Sequence, residues 1–204
     1  EREGAENTPH FVLAEEVTAA AFRLHPYHHQ AVGWKEDLAA ITHDQLYTFY
    51  RQHYVPNNAV LVVVGDVSET YLDTIEEYLD DIPQSDLPQE VIRQEPPLRG
   101  ERRVTVRLPG STRLVRISYR TPPVRHEDYI PLVVLDAVLS GGKAMFAFDT
   151  RQTRSARLYH ALVETELAST VGSNYHPSLD PYLFNLGATV REEREPEKVE
   201  EALL

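Results

Sequence analysis

The densest group of potential metal ligands consists of His25, His28 and His29. Three imidazoles can bind Zn²⁺ when they converge on one point. The same residues lie in the segment His-Pro-Tyr-His-His, and a residue before proline is displaced from helical conformation. The pattern favours a turn with exposed or hydrogen-bonded histidines. Independent metal binding by this group stays open as an alternative hypothesis.

Neither His-x-x-Glu-His nor His-Glu-x-x-His, the patterns of zinc peptidases, occurs in the chain. A catalytic zinc needs three protein ligands and a free position for water. The chain therefore cannot form such a site by itself. Thiolate chemistry and disulfides are also excluded, because the chain has no cysteine.

The charge balance excludes nucleic acid as an expected partner. Acidic residues outnumber basic ones by 32 to 20, so the formal net charge is −12. Nucleic-acid binding requires clustered lysines and arginines. One group of arginines falls mainly on predicted strands, and we interpret it as a solvated face or a set of ion pairs instead of an anion groove. Its members are Arg99, Arg102, Arg103, Arg107, Arg113, Arg116 and Arg120.

Helices and one strand account for the first part of the chain. Apolar residues recur at helical spacing over 9–24, and His25-Pro26 ends that helix. Thr42 and Gln45 form a capping box that opens a second helix, and Ser68 caps a third. Residues 59–64 are a continuous apolar run between turn signals. That run predicts a strand buried on both faces.

The second part begins after a segment rich in proline, residues 84–100, which predicts an extended linker. Alternating residues in 104–108 and 115–119 predict a hairpin. A strongly apolar helix over 128–140 is closed by Gly141-Gly142, whose position favours a helix C-cap over a phosphate loop. A further helix begins at Ser155, strands follow near 169–175 and 182–190, and Glu195-Pro196-Glu197 opens a last helix.

No apolar run approaches the ~20 residues of a membrane span, so we expect a soluble protein with no membrane span. The cell compartment stays open. The first residues are typical of the inside of a helix, and the last helix has no terminator. We therefore expect an internal piece of a longer protein.

Several segments together resemble the M16 zinc metallopeptidases, the pitrilysin, insulinase and mitochondrial processing peptidase family. They are Glu-Arg-Glu-Gly-Ala-Glu-Asn at 1–7, Phe-Arg-Leu-His-Pro-Tyr at 22–27, the region 54–67 and the Arg-Leu-Tyr helix at 157–159. The resemblance implies an α+β fold of two related domains, each a mostly antiparallel sheet covered by helices (LuxS-like). Residues 1–83 would form the C-terminal part of the metal-bearing domain, and residues 84–100 would be a linker. Residues 101–204 would form most of a second, non-catalytic domain.

The resemblance also implies a chemistry. In the family, zinc is bound by the motif absent here and by a carboxylate from a later helix, a place that Glu1 occupies, with Glu3 and Glu6 as alternatives. We expect zinc in the intact protein and none in this piece. The intact protein would be a zinc-dependent peptidase that hydrolyses peptides, and this piece alone would be inactive. The alternative is a non-catalytic structural half. Its partner would be the remainder of the same protein or a homologous half-subunit.

Overall fold

The computed structural model describes residues 1–68, 70–89, 91, 93–142 and 153–204. The chain divides into two units. The larger joins residues 1–32 to 94–204, and the smaller comprises residues 33–93. The division into domains on either side of residues 84–100 remains a prediction.

The larger unit is built on an antiparallel sheet. Its described strands are β1 (Arg113–Thr121), β2 (Ala168–Tyr175) and β3 (Tyr182–Val190), in the order β1-β3-β2. The register places Ile117 and Ser173 on either side of Leu186 in the central strand. Because side chains alternate between the faces of a sheet, Ile117, Ser173 and Leu186 share one face. Arg116, Ser118 and the fully buried Leu183 share the other. The predicted α+β class with an antiparallel sheet is confirmed.

Helices cover the face that carries Ile117 and Leu186. They are α6 (Tyr129–Ser140), a π-helical turn (Tyr159–Val163) and α7 (Pro196–Leu203). Leu162 and Val199 are fully buried at the centre of this layer. Gly141 ends α6 with φ of 96°, the left-handed region that glycine tolerates, so the predicted C-cap is confirmed. The core comprises Leu158, Leu162, Ala168, Phe184, Leu186, Ala188, Val190, Val199 and Leu203.

Two helices precede the sheet in the chain. α1 (Arg2–Glu6) leads into α2 (Pro9–Ala21), which packs against β1. The predicted first helix is thus confirmed, although it ends at Ala21, before the His-Pro pair. No helix in the described part of the chain has both the length and the apolar character needed to cross a membrane.

The hairpin prediction is wrong. Residues 104–108 are not a strand, and β1 pairs instead with β3, from Arg113 opposite Val190 to Thr121 opposite Tyr182. Apolar side chains of β1 pack beside those of β3 along the whole ladder. The stability gained from this packing outweighs the advantage that residues 104–108 have in being close to β1 in the sequence. The strands predicted near 169–175 and 182–190 are both present.

The smaller unit contains α3 (Lys35–Ala40), α4 (His43–His53) and α5 (Thr70–Leu79). The capping box of Thr42 and Gln45 is present at the start of α4. Residues 59–64, predicted as a buried strand, are neither a strand nor buried, and Val60 and Val64 are 90% and 91% exposed. A strand needs a neighbour for its backbone hydrogen bonds, and no other strand is described within residues 33–93.

Candidate functional site

Glu1, the predicted zinc ligand, is the residue that precedes α1. Its side chain is exposed and does not cap the helix, whereas its backbone carbonyl accepts a hydrogen bond of 3.1 Å from the N–H of Ala5. The carboxylate thus faces solvent. Its assignment as a metal ligand stays a prediction.

Arg2 fixes the helix that Glu1 opens. Its guanidinium donates to Glu6 at 3.1 Å and to Glu15 at 2.8 Å, and it lies 5.5 Å from the ring centre of Phe11. The hydrogen bond to Glu15 outweighs burial and raises the pKa of Arg2. These contacts tie α1 to α2 and thereby hold Glu1 in place. They also engage Glu6, one of the alternative ligands.

The three histidines lie at a turn whose 3₁₀ segment is Pro26–His28. The N–H of Tyr27 donates to Nδ1 of His25, so the neutral ring carries its proton on Nε2, 3.5 Å from Asp180. The Nδ1 atoms of His28 and His29 each lie 2.9 Å from a backbone carbonyl oxygen. The predicted turn with hydrogen-bonded histidines is confirmed. The described residues contain no group of three His, Asp or Glu side chains arranged to hold a metal.

A carboxylate that the sequence analysis missed holds this turn in place. Glu95 accepts hydrogen bonds from three consecutive backbone N–H groups, those of Arg23 at 2.8 Å, Leu24 at 2.7 Å and His25 at 3.0 Å. It also accepts one of 2.9 Å from Arg120. Burial alone would raise the pKa of Glu95, but these four donors outweigh it and lower the pKa to about 2. The only signal in the sequence is an acid within the proline-rich segment.

Arg120 completes the attachment from β1. Its guanidinium donates to the carbonyl oxygens of Ala21 and Pro96 and lies 5.1 Å from the ring centre of Phe22. The Phe22 ring in turn stacks on Tyr182, with 5.9 Å between centroids. The end of α2, the histidine turn and the edge of the sheet therefore form one packed corner. Most of its polar groups bond to one another, although Nε2 of His25 and Nε of Arg120 are buried without a hydrogen-bond partner among the described residues. This dense packing favours a structural role.

The predicted ion pairs of the arginine group are partly present. Arg103 lies 2.6 Å from Glu200 and lowers the pKa of that carboxyl, and Arg113 donates to the carbonyl oxygen of Glu192. Arg116 differs, because it has no such partner among the described residues.

A known family of protein domains matches most of this chain. The sequence model described as "Peptidase M16 inactive domain" matches residues 40–204. The chain belongs to the peptidase M16 inactive-domain family. The resemblance found in the sequence is confirmed. The residues of this inactive domain do not fit a zinc site on their own, since the described part holds no group of three ligands.

Two curated relatives of the inactive domain are named zinc proteases. It is 28% identical to the zinc protease PqqE of Helicobacter pylori over 144 residues, 68% of the chain and 32% of the relative. It is 22% identical to the uncharacterized zinc protease YmxG of Bacillus subtilis over 195 residues, 91% of the chain and 47% of the relative. The chain thus spans less than half the length of these relatives.

Solved structures show the same fold. A protease from Helicobacter pylori superposes with a TM-score of 0.83 at 24% identity, over 98% of the chain and 47% of that protein. The peptidase M16 inactive domain from Pseudomonas fluorescens superposes with a TM-score of 0.76 at 20% identity, again over 98% and 47%. At these identities, the similarity establishes the fold of the inactive domain.

Proposed function

We propose that this inactive domain is part of a zinc-dependent peptidase that hydrolyses peptides. The observation that carries the proposal is the family match over residues 40–204, together with two longer relatives that are named zinc proteases. Each relative has more than half of its length outside the matched region, which leaves room for the metal motif that this chain lacks. In this proposal the complete protein encloses its peptide substrate in a chamber, and the inactive domain forms part of the chamber wall and performs no bond cleavage.

Glu1 is the residue that we propose to contribute to the metal. Carboxylate oxygen is an accepted ligand of catalytic zinc beside two imidazoles. The proposal is supported by the exposure of Glu1 and by the contacts of Arg2 with Glu15 and Glu6, which hold the start of α1. The two imidazole ligands would come from outside this chain. When bound, zinc would supply an activated water for hydrolysis.

Glu1→Gln in the complete protein tests this role. Loss of a zinc ligand is expected to weaken zinc binding by at least the ~10–100-fold known for supporting residues, with a matching loss of peptide hydrolysis. Zinc per mole of protein, measured by mass spectrometry, and cleavage of a fluorogenic peptide are the two readouts. Glu16→Gln, an exposed acid of α2 that is not among the candidate ligands, is the control and should retain both. If Glu1→Gln retains its full zinc content, Glu1 is not a zinc ligand.

A second candidate is a non-catalytic half that pairs with a homologous active subunit. The family description as an inactive domain supports it. The complete protein would then neither bind zinc nor cleave peptides alone, and activity would appear only after a homologous subunit is added. Zinc and activity in the complete protein by itself would instead support the first proposal.

A further inference from the structure

The smaller unit carries an uncovered apolar segment at residues 59–64, which we call the apolar run. It contains only alanine, valine and leucine, and it lies between the turn at Pro56–Asn58 and Gly65. The five residues after Ala59 are between 46% and 91% exposed. A monomeric protein rarely exposes so continuous an apolar segment, and such a segment marks a surface that another surface covers.

The sequence of the apolar run is that of an interior strand. Ala59, its first residue, has extended backbone angles, with φ of −123° and ψ of 147°. Along extended backbone, alternate side chains face opposite sides, and in this run both sets are aliphatic. A strand with one face in water alternates apolar with polar residues, whereas a strand that is apolar on both faces lies within a sheet. Within the described part of the chain, no strand pairs with the run, so both of its edges are free.

Helix α4 exposes a second apolar surface in the same unit. Leu46, Phe49 and Tyr50 are spaced by three and four residues, so they share one face of the helix. Each of the three is at least 50% exposed. Together with Tyr47 and Tyr54 they line an open cavity of about 370 Å³. The smaller unit therefore lacks a cover over a helix face as well as neighbours for a strand.

A second copy of this chain is a poor partner for the apolar run. A two-fold pair would place the two runs side by side and leave the outer edge of each without a neighbour. Each copy also has a formal net charge of −12, and exposed acids lie at the end of α5 and just after it. Repulsion between like charges opposes such a pair. The acids are Glu76, Glu77, Asp80 and Asp81.

A separate subunit is also a poor partner, because the run would stay exposed until that subunit arrived. Segments of about six residues with high β propensity, no charge and no proline are prone to aggregate. The apolar run meets each of these conditions. A covering segment in the same polypeptide has a high effective concentration and shortens the exposure. The curated relatives are long enough to contain one, since the matched region covers 32% and 47% of their lengths.

We propose that the apolar run is an interior strand of a sheet whose two flanking strands belong to the complete protein outside this chain. Those strands would supply the backbone hydrogen bonds along both edges of the run, and their apolar side chains would bury the exposed face of α4. The inference rests on the proposed function, in which this chain is part of a longer protein. It deepens that function by naming the partner of the smaller unit, and it requires neither zinc nor hydrolysis.

Hydrogen exchange followed by mass spectrometry tests the pairing in the 204-residue chain and in the complete protein as a monomer. The amides of residues 60–64 should exchange at least about 1,000-fold more slowly in the complete protein, because a strand paired along both edges exchanges only when the sheet opens. β3 is the internal control. It already has a neighbour on each side, so its protection should be the same in both samples.

Val62→Lys places a charge in the middle of the apolar run. In the 204-residue chain Val62 is 73% exposed, so the melting temperature should not change. In the complete protein the lysine would lie inside a sheet, and the melting temperature should fall by about 5 °C or more. Thr48→Lys is the matched control and should change neither protein, because Thr48 is exposed on α4 opposite the face of Leu46. If the complete protein with Val62→Lys does not fold, hydrogen exchange of the wild type decides the outcome.

Rapid exchange of residues 60–64 in the monomeric complete protein would overturn the proposal. Protection that appears only after a homologous subunit is added would assign the run to that subunit. Protection that grows with concentration in the 204-residue chain would assign it to a second copy. Zinc content and peptide hydrolysis, measured on the same complete protein, distinguish the two proposals. Protection without zinc would contradict the proposed peptidase alone, and zinc without protection would contradict the assigned strand alone.

Discussion

The carboxylate of Glu95 lies 2.9 Å from the guanidinium of Arg120, and this pair joins segments that are distant in the chain. The same carboxylate receives the backbone N–H groups of the turn after α2, and the same guanidinium reaches the last carbonyl of α2. Both side chains are largely buried. The ion pair therefore connects α2, the proline-rich segment and β1 of the larger unit.

Glu95→Gln should destabilise the larger unit in a pH-dependent manner. The folded state lowers the pKa of Glu95 from 4.5 to about 2, so the ionised carboxylate stabilises the fold above pH 4.5. This contribution is lost as the pH falls from 4.5 towards 2. The free energy of unfolding in urea, followed by circular dichroism, should fall by about 2 kcal/mol at pH 7 in Glu95→Gln.

Glu127→Gln is the matched control for Glu95, because Glu127 is exposed. It should change the free energy of unfolding by less than about 0.5 kcal/mol at any pH. The difference between wild type and Glu95→Gln should narrow as the pH approaches 2. A difference that stays constant from pH 7 to pH 2 would show that Glu95 acts through packing and not through its charge.

Leu162→Ala should destabilise the larger unit by about 3 kcal/mol, because it removes a fully buried side chain from the layer of helices over the sheet. Leu179→Ala truncates a side chain that is 74% exposed, and its effect should stay below about 0.5 kcal/mol. Urea unfolding of the two variants provides the comparison. Equal losses would contradict the placement of the core.

Glu166→Gly should stabilise the turn before β2. Glu166 has φ of 59°, a conformation that costs a residue with a side chain about 1 kcal/mol and costs glycine almost nothing. Thermal unfolding should give a net gain of up to about 0.5 kcal/mol, because the freedom that glycine adds to the unfolded chain offsets part of the relieved strain. Glu164→Gly is the matched control two residues earlier, where φ is −67°, and it should lose stability. A loss in both variants would contradict the assigned backbone conformation.

Val62→Lys with Val64→Lys should lower the apolar exposure of the smaller unit. These valines are 73% and 91% exposed within the extended run of residues 59–64. Binding of a hydrophobic dye and self-association in sedimentation should both decrease, since exposed apolar segments promote association. Thr48→Lys with Gln52→Lys adds the same two charges at exposed positions outside the run and should leave both readouts unchanged. Unchanged dye binding in the double variant would place the exposed apolar surface elsewhere.

Sequence patterns predicted those features correctly that depend on interactions between residues close together in the chain. The capping box at Thr42 and the glycine after Ser140 depend only on nearby backbone groups, and both are present. The hairpin prediction was wrong because the pairing of β1 depends on which strand buries its apolar side chains best, and that strand, β3, is distant in the sequence. The prediction of a buried strand at 59–64 was wrong because burial requires a neighbouring strand or helix. An apolar run does not show whether such a neighbour exists.

The candidate sites show the same limit. Glu1 could be identified only through the family resemblance, because no sequence pattern around it marks a metal ligand. Glu95 could not be found, because its four donors come from two segments far away in sequence. Arg116 was recognised as part of an arginine group. Its distinction from Arg103 became visible only in the structure, where Arg103 pairs with Glu200 and Arg116 has no such partner among the described residues.

The position of β3 in the middle of the sheet has a consequence during synthesis. β1 leaves the ribosome well before its partner, since even the nearest pair in the ladder, Thr121 and Tyr182, is separated by about 60 residues. β2 also has only β3 as its neighbour in the described sheet. Neither β1 nor β2 can therefore form its ladder in the described sheet until β3 has emerged. The nascent chain exposes unpaired strands for that interval, when chaperones that hold extended apolar segments would act.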